Sequence, residues 1–251
     1  MTKLQNLFSG LFGKPRKQTI DIIFPTSWET MTLQQFRDVC QILSSPHGRH
    51  ETLFLCLCKL SGIRPDVQTR HDPEQMKDRL AFIIDGKSYI IGASAIREAC
   101  SRLEFILDGI GLPPSPFPEV DRKLYGISFG KYYSADSYML RASAEHNQAY
   151  IKEAVKVLTD GRKRKLLPWE RQAAVIWWNG VKRYLMDKYP HVLEEGENIS
   201  DRSQADILQD ILSVMNGNRP QENDSILGCD VHSVLYSLNT IYRNAKQRSH
   251  K

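Results

Sequence analysis

Apolar residues in this chain recur mostly at intervals of three and four, the spacing of a helix face, and gather into short strand-like runs around residues 20 and 85. Leu4, Leu7, Phe8, Leu11 and Phe12 fall at helical spacing among Lys3, Lys14, Arg16 and Lys17, which predicts a helical appendage over residues 1–18, weakened by Gly10 and Gly13. Ile20, Ile22, Ile23 and Phe24 predict a short strand stopped by Pro25. Thr32 then stands as the cap of a helix whose face carries Leu33, Phe36, Val39, Cys40 and Leu43, and Pro46 and Gly48 end it. A second helix over 51–60 is apolar nearly all round, as a segment central to a core should be. Residues 81–84 and 87–91 flank Asp85-Gly86, a pair that accepts the positive backbone angles of a type I′ turn, so a β-hairpin is expected there, followed by a helix over about 94–107.

The stretch from Gly111 to Pro118 holds four prolines and cannot continue a helix, which predicts a linker over 112–119. It would separate an α+β domain over 19–111 from a helical domain over 120–251. In the latter, helices are expected at about 134–144, 147–159, 168–188, 203–216 and 230–247. Ala173, Ile176, Trp177, Gly180, Val181, Tyr184 and Leu185 form a broad stripe that makes the third of these the spine of its core. Asp230 is placed to cap the last, where Val231, Val234, Leu235, Leu238, Ile241 and Tyr242 predict packing along the full length. Residues 216–224 read as a polar turn. The fold class is therefore mainly α: a C-terminal helical bundle with a smaller α+β N-terminal part containing a hairpin.

Composition changes this picture little. With 251 residues, 41% hydrophobic and 25% charged, the chain suits one large or two small soluble domains, and no apolar run approaches the ~20 residues of a membrane span. The five cysteines sit in apolar contexts, which fits free thiols in a reducing cytosol. Cys56 and Cys58, two apart on a helix, point about 200° away from each other and cannot share an ion. The sequence holds no phosphate loop, dinucleotide fingerprint, nucleophile elbow or kinase motif set, so neither a catalytic residue, a metal nor a cofactor is expected.

Two features could instead meet a partner. Arg162, Lys163, Arg164 and Lys165 form one compact basic run, able to grip phosphates beside Trp169 or simply to solvate a turn after a helix C-terminus. Trp178 is turned about 100° from the core residue Trp177, toward the edge of the apolar stripe, which makes it an anchor candidate together with Tyr184.

The segment Met31-Thr32-Leu33-Gln34-Gln35-Phe36-Arg37-Asp38 shares a loose pattern with Ile127-Ser128-Phe129-Gly130-Lys131-Tyr132-Tyr133-Ser134. The second version, with Ala135-Asp136-Ser137-Tyr138 after it, resembles the opening of bacteriophage tail assembly chaperones and related small phage tail proteins. Residues 169–189 resemble that family's long helix rich in aromatic and alanine residues, and 208–212 with 231–236 resemble its closing helix pair, so the resemblance covers about residues 120–247. It implies a non-enzymatic protein of the bacterial host cytoplasm that keeps a long helical tape-measure protein soluble until tail-tube subunits polymerise around it. The partners it implies are phage tail or other virion proteins; self-association is an alternative the sequence leaves open. The alternatives are a structural component retained in the virion and a nucleic-acid-binding accessory protein using residues 162–165.

Overall fold

The computed structural model describes residues 2–7, 17–66, 78–162, 165–192 and 204–249, in two compact units, Met1–Gly111 and Leu112–Lys251. The protein is mainly α-helical, with two small antiparallel sheets in its N-terminal unit.

In the first unit, strands β1 (Thr2–Leu7) and β2 (Lys17–Ile22) pair antiparallel, from Thr2 opposite Ile22 to Leu7 opposite Lys17. This corrects the helical expectation for the first residues. A lone short helix interrupted by glycines is costly to nucleate, whereas a partner strand satisfies every other backbone group of 2–7. Phe8, Leu11 and Phe12 lie outside the described residues. Helix α1 (Leu33–Leu43) opens on a reciprocal cap: Gln35 N–H donates to Thr32 Oγ1 at 3.2 Å and Thr32 N–H to Gln35 Oε1 at 2.9 Å. Helix α2 (Arg49–Ser61) buries Leu53, Cys56, Leu57 and Leu60. Strands β3 (Arg64–Pro65), β4 (Arg79–Ile84) and β5 (Lys87–Gly92) form a sheet in that order. The predicted hairpin is β4 and β5, turning through Asp85 at φ 49° and Gly86 at φ 75°.

The helix expected at 94–107 is two, α3 (Ala93–Ser101) and α4 (Phe105–Asp108). Between them Leu103 and Glu104 donate to the carbonyls three residues back, at 2.9 and 3.2 Å, a tightening that keeps Leu103 fully buried. Trp28 sits in this core with Phe36 and Phe105 edge-on to it, each centroid 5.5 Å away.

The proline-rich stretch belongs to the second unit and is packed. Phe117 is 1% exposed and meets Trp177 edge-on at 6.2 Å, while Arg122 Nε donates to Pro113 O at 3.0 Å. A phenylalanine this deep gives the segment a core role that its proline content conceals. Helix α5 (Phe129–Ala144) begins five residues before the expected start because Ser128 caps it, accepting from Lys131 N–H at 3.4 Å. Helices α6 (Ala149–Leu158) and α7 (Pro168–Lys188) follow, then α8 (Gln204–Asn216). The polar turn expected over 216–224 leads into a further, unexpected helix, α9 (Asn223–Gly228), whose Ile226 is buried.

Helix α10 (Val231–Ser249) is capped by Asp230, whose Oδ1 accepts from His232 N–H at 2.8 Å. It buries Val231, Val234, Leu235 and Leu238, but Ile241 is 40% exposed and residues 243–248 face solvent, so it packs along its first half only. No helix among the described residues is long and apolar enough to cross a membrane.

Candidate functional site

Helix α7 is the spine of the second unit, with Ala173, Ala174, Trp177, Trp178, Gly180, Val181 and Leu185 buried. Its two adjacent tryptophans are both interior. Trp177 donates its indole N–H to Arg122 O at 3.0 Å. Trp178, expected at the margin as an anchor, is 2% exposed: it stacks on Tyr132 at 5.8 Å and donates to Asp136 Oδ1 at 3.1 Å. The same carboxylate takes Lys182 Nζ at 3.0 Å on each oxygen, so a buried ring and a cation converge on one acid from α5. Burial, with Asp136 nearby, pushes the Tyr132 phenol well above its ordinary value and keeps it neutral. The corrected role of Trp178 is thus to join α5 to α7; a ring at the stripe's edge is drawn inward when a neighbouring helix offers its N–H an acceptor.

The outer edge of Trp178 forms part of an open cleft of about 250 Å³ between α5, α6 and α7. Met139, Ala142 and Ser143 supply one wall, Ile151 the end, and Val175, Trp178 and Asn179 the other. Spacings of three and four on α5 and α7 bring these residues onto facing stripes. The volume is below the usual ~300–1,000 Å³ of small-molecule pockets and suits one or two inserted apolar side chains.

A second cleft, of about 320 Å³, is lined by Gln148, Ala149, Lys152, Lys165, Leu166 and Arg171. It takes only Lys165 from the expected basic run. Arg162 is exposed, and Lys163 and Arg164 lie outside the described residues.

Tyr184, the other expected anchor, is half-buried in a polar cluster near the end of α7. Lys188 Nζ donates to Tyr125 Oη at 2.9 Å and lies 5.0, 5.6 and 5.3 Å from the ring centroids of Tyr125, Tyr184 and Tyr189. His232 stands behind them, its Nε2 2.7 Å from Lys123 O and its Nδ1 2.9 Å from Tyr189 Oη. A carbonyl can only accept, so Nε2 carries the proton and Nδ1 receives the Tyr189 hydroxyl. Burial holds the imidazole below its ordinary value, and the Lys188 ammonium adds to this. The Lys188 hydrogen bond, then that with Tyr184, draws the Tyr125 phenol below its usual range. Burial opposes the charge on Lys188, but its bonds to the three tyrosines outweigh that and hold the ammonium above its ordinary value. Together with Gly126 N–H donating to Asp230 Oδ2 at 2.8 Å, these contacts clamp the loop before α5 onto the start of α10.

No known protein family, curated protein or solved structure matches this chain.

In the first unit, burial raises the thiol of Cys56 to about 12 and that of Cys58 to about 11, and Cys40 higher still. These are protonated thiols at neutral pH, poor nucleophiles and poor ligands. Among the described residues no three His, Cys, Asp or Glu side chains are grouped to hold a metal ion.

Sequence reasoning missed Met139, Ala142, Ser143 and Val175 as cleft residues, and Lys152 and Arg171 as companions of Lys165. The i, i+4 pairs Met139–Ser143 and Arg171–Val175 carry a helical signal, but nothing in one sequence says which stripe is left uncovered by its neighbours.

Proposed function

We propose that this protein is a non-enzymatic assembly factor of phage morphogenesis, acting in the host cytoplasm, that accepts an amphipathic helix of a virion protein in the cleft between α5, α6 and α7. The observation that carries the reading is that cleft: an open, mainly apolar concavity walled by two helices, of a size for side chains rather than a metabolite. It lies within the part of the chain that resembles tail assembly chaperones, whose task needs a groove between helices. Trp178 contributes as a fixed wall, held by Asp136 and Tyr132, so the groove is formed before the partner arrives and little ordering is needed on binding.

The experiment is co-expression with a long helical tape-measure-type protein encoded beside its gene. The client should be soluble with the wild type and insoluble with Ser143→Trp, which fills the groove from an exposed position. A client equally soluble with both, or insoluble with both, contradicts the proposal.

A further inference from the structure

Beyond the groove itself, the chemistry of its neighbour restricts the partner. The apolar groove and the basic cleft share helices α6 and α7: Ile151 lines the first and Lys152 the second, while Arg171, Val175, Trp178 and Asn179 succeed one another at four-, three- and one-residue steps. Residues at i, i+4, i+7 and i+8 lie on one face of a helix, so Arg171 stands one turn, about 6 Å, before Val175 on the same stripe. The basic cleft therefore begins one helical turn from the groove along α7.

The acids nearest in sequence are already engaged. Glu153 pairs with Lys156 at 3.4 Å, Asp160 pairs with Lys131 at 2.5 Å, and Glu170 Oε2 accepts the Leu167 N–H at 2.8 Å in the first turn of α7. Lys152, Lys165 and Arg171 form no ion pair among the described residues. Three cations without a direct ion-pair partner around one concavity, with Glu170 held to the Leu167 N–H and Glu153 and Asp160 turned to other lysines, favour a ligand that brings negative charge.

Resting on the groove reading above, we infer that the partner is an acidic amphipathic helix: apolar side chains enter the cleft beside Trp178, and one or two carboxylates, about a turn away on the same face, meet Lys152, Lys165 and Arg171. The helical spacing of anchor and charge matches that of Val175 and Arg171 on the receiving helix. An arginine at that position can hold a carboxylate through two parallel hydrogen bonds, and the lysines supply adjustable charge. Leu166 and Ala149 line the same cleft and would cover the aliphatic stem of a glutamate.

The test uses the full chain and designed helical peptides of about 16 residues, long enough to hold a helix. All share one leucine stripe, and they differ in carrying two Glu, two Gln or two Lys one turn beyond it. Fluorescence anisotropy should show the Glu peptide binding roughly fivefold more tightly than the Gln peptide, with the preference shrinking as salt rises. In the doubly reversed variant Lys152→Glu/Arg171→Glu the preference should pass to the Lys peptide, while Ser143→Trp, or Asn179→Trp if the first does not fold, should weaken all three. Equal binding of the Glu and Gln peptides, both weakened by the groove variants, would overturn the acidic partner and leave the groove reading standing. Peptide binding indifferent to the groove variants would overturn both. If a single-stranded oligonucleotide of about 12 nucleotides instead binds with a steep salt dependence that Lys152→Glu/Arg171→Glu abolishes, and the Glu peptide has no advantage, the cations serve nucleic acid and the inference fails.

Discussion

Trp178 shows how far one side chain's role depends on what its neighbours offer. Its indole is buried, stacked on Tyr132 and bonded to Asp136, so its loss should read first as lost stability. Trp178→Ala is expected to lower unfolding free energy by about 3–5 kcal/mol in chemical denaturation, whereas Trp178→Phe keeps most of the burial and should cost about 1 kcal/mol for the lost hydrogen bond. Equal stability of the alanine variant and the wild type would remove the ring from the core.

His232 makes a pH-dependent contribution whose sign follows from its depressed value. The unfolded imidazole takes a proton near its ordinary 6.5, and the folded one resists until lower pH, because it is buried and faces Lys188, with the hydrogen bond to the Lys123 carbonyl, then Asp230 and Asp121, offsetting only part of this. Its contribution is therefore complete above about pH 6.5 and is lost as pH falls through the folded value. Melting temperature should decline between pH 7 and 5 in the wild type and decline less in His232→Gln, measured by circular dichroism.

Among the elements, the starts of α1 and α5 explain the loose internal repeat. Thr32 and Ser128 each cap a helix, Met31 and Ile127 precede the caps, and Phe36 and Tyr132 stand four positions into the helices; all four of these apolar or aromatic residues are buried. The shared pattern is a capping and stapling signal, which two unrelated helices can use independently. Thr32→Ala should cost about 1 kcal/mol, and Ser128→Ala less, since its bond to Lys131 is longer.

Helix α5 also carries a glycine that packing requires. A Cβ on Gly130 would stand 3.2 Å from Leu227 O in α9, a backbone atom that cannot easily withdraw. Gly130→Ala should accordingly destabilise the protein, although alanine in an open helix site would add about 1 kcal/mol. A higher melting temperature for this variant would show that α9 moves freely from α5.

For the whole molecule, the packed proline segment sets where an independent fragment must begin. Residues 112–251 should unfold cooperatively alone, whereas a fragment starting at Pro118 lacks Phe117 against Trp177 and should be less stable by on the order of 3 kcal/mol. Identical denaturation midpoints would mean that Phe117 contributes nothing to that core.

Much of this architecture was legible in the chain, and the failures share a cause. Period, caps and turn chemistry are local, so Thr32, Asp85-Gly86, the stripe of α7 and Asp230 announce their elements. Partnership is not local. Nothing near Leu4 reveals the pairing of residues 2–7 with 17–22, nothing near Phe117 reveals Trp177, and nothing near Trp178 reveals the carboxylate of Asp136. The cleft was hidden for the same reason, since an uncovered stripe is defined by the helices that do not cover it. The basic run was visible as a run, yet the residue it gives the cleft, Lys165, is joined there by Lys152 and Arg171, which are isolated in sequence.

The central claim is that the groove between α5, α6 and α7 receives a helix, and methyl-resolved NMR titration of the full chain with a leucine-striped helical peptide tests it most directly. The methyl signals of Met139, Ile151 and Val175 should shift together and saturate at one peptide concentration, while those of Ile91 and Ile96 in the first unit stay fixed. Saturable binding that leaves the three groove methyls unmoved, or no binding at millimolar peptide, would contradict the account.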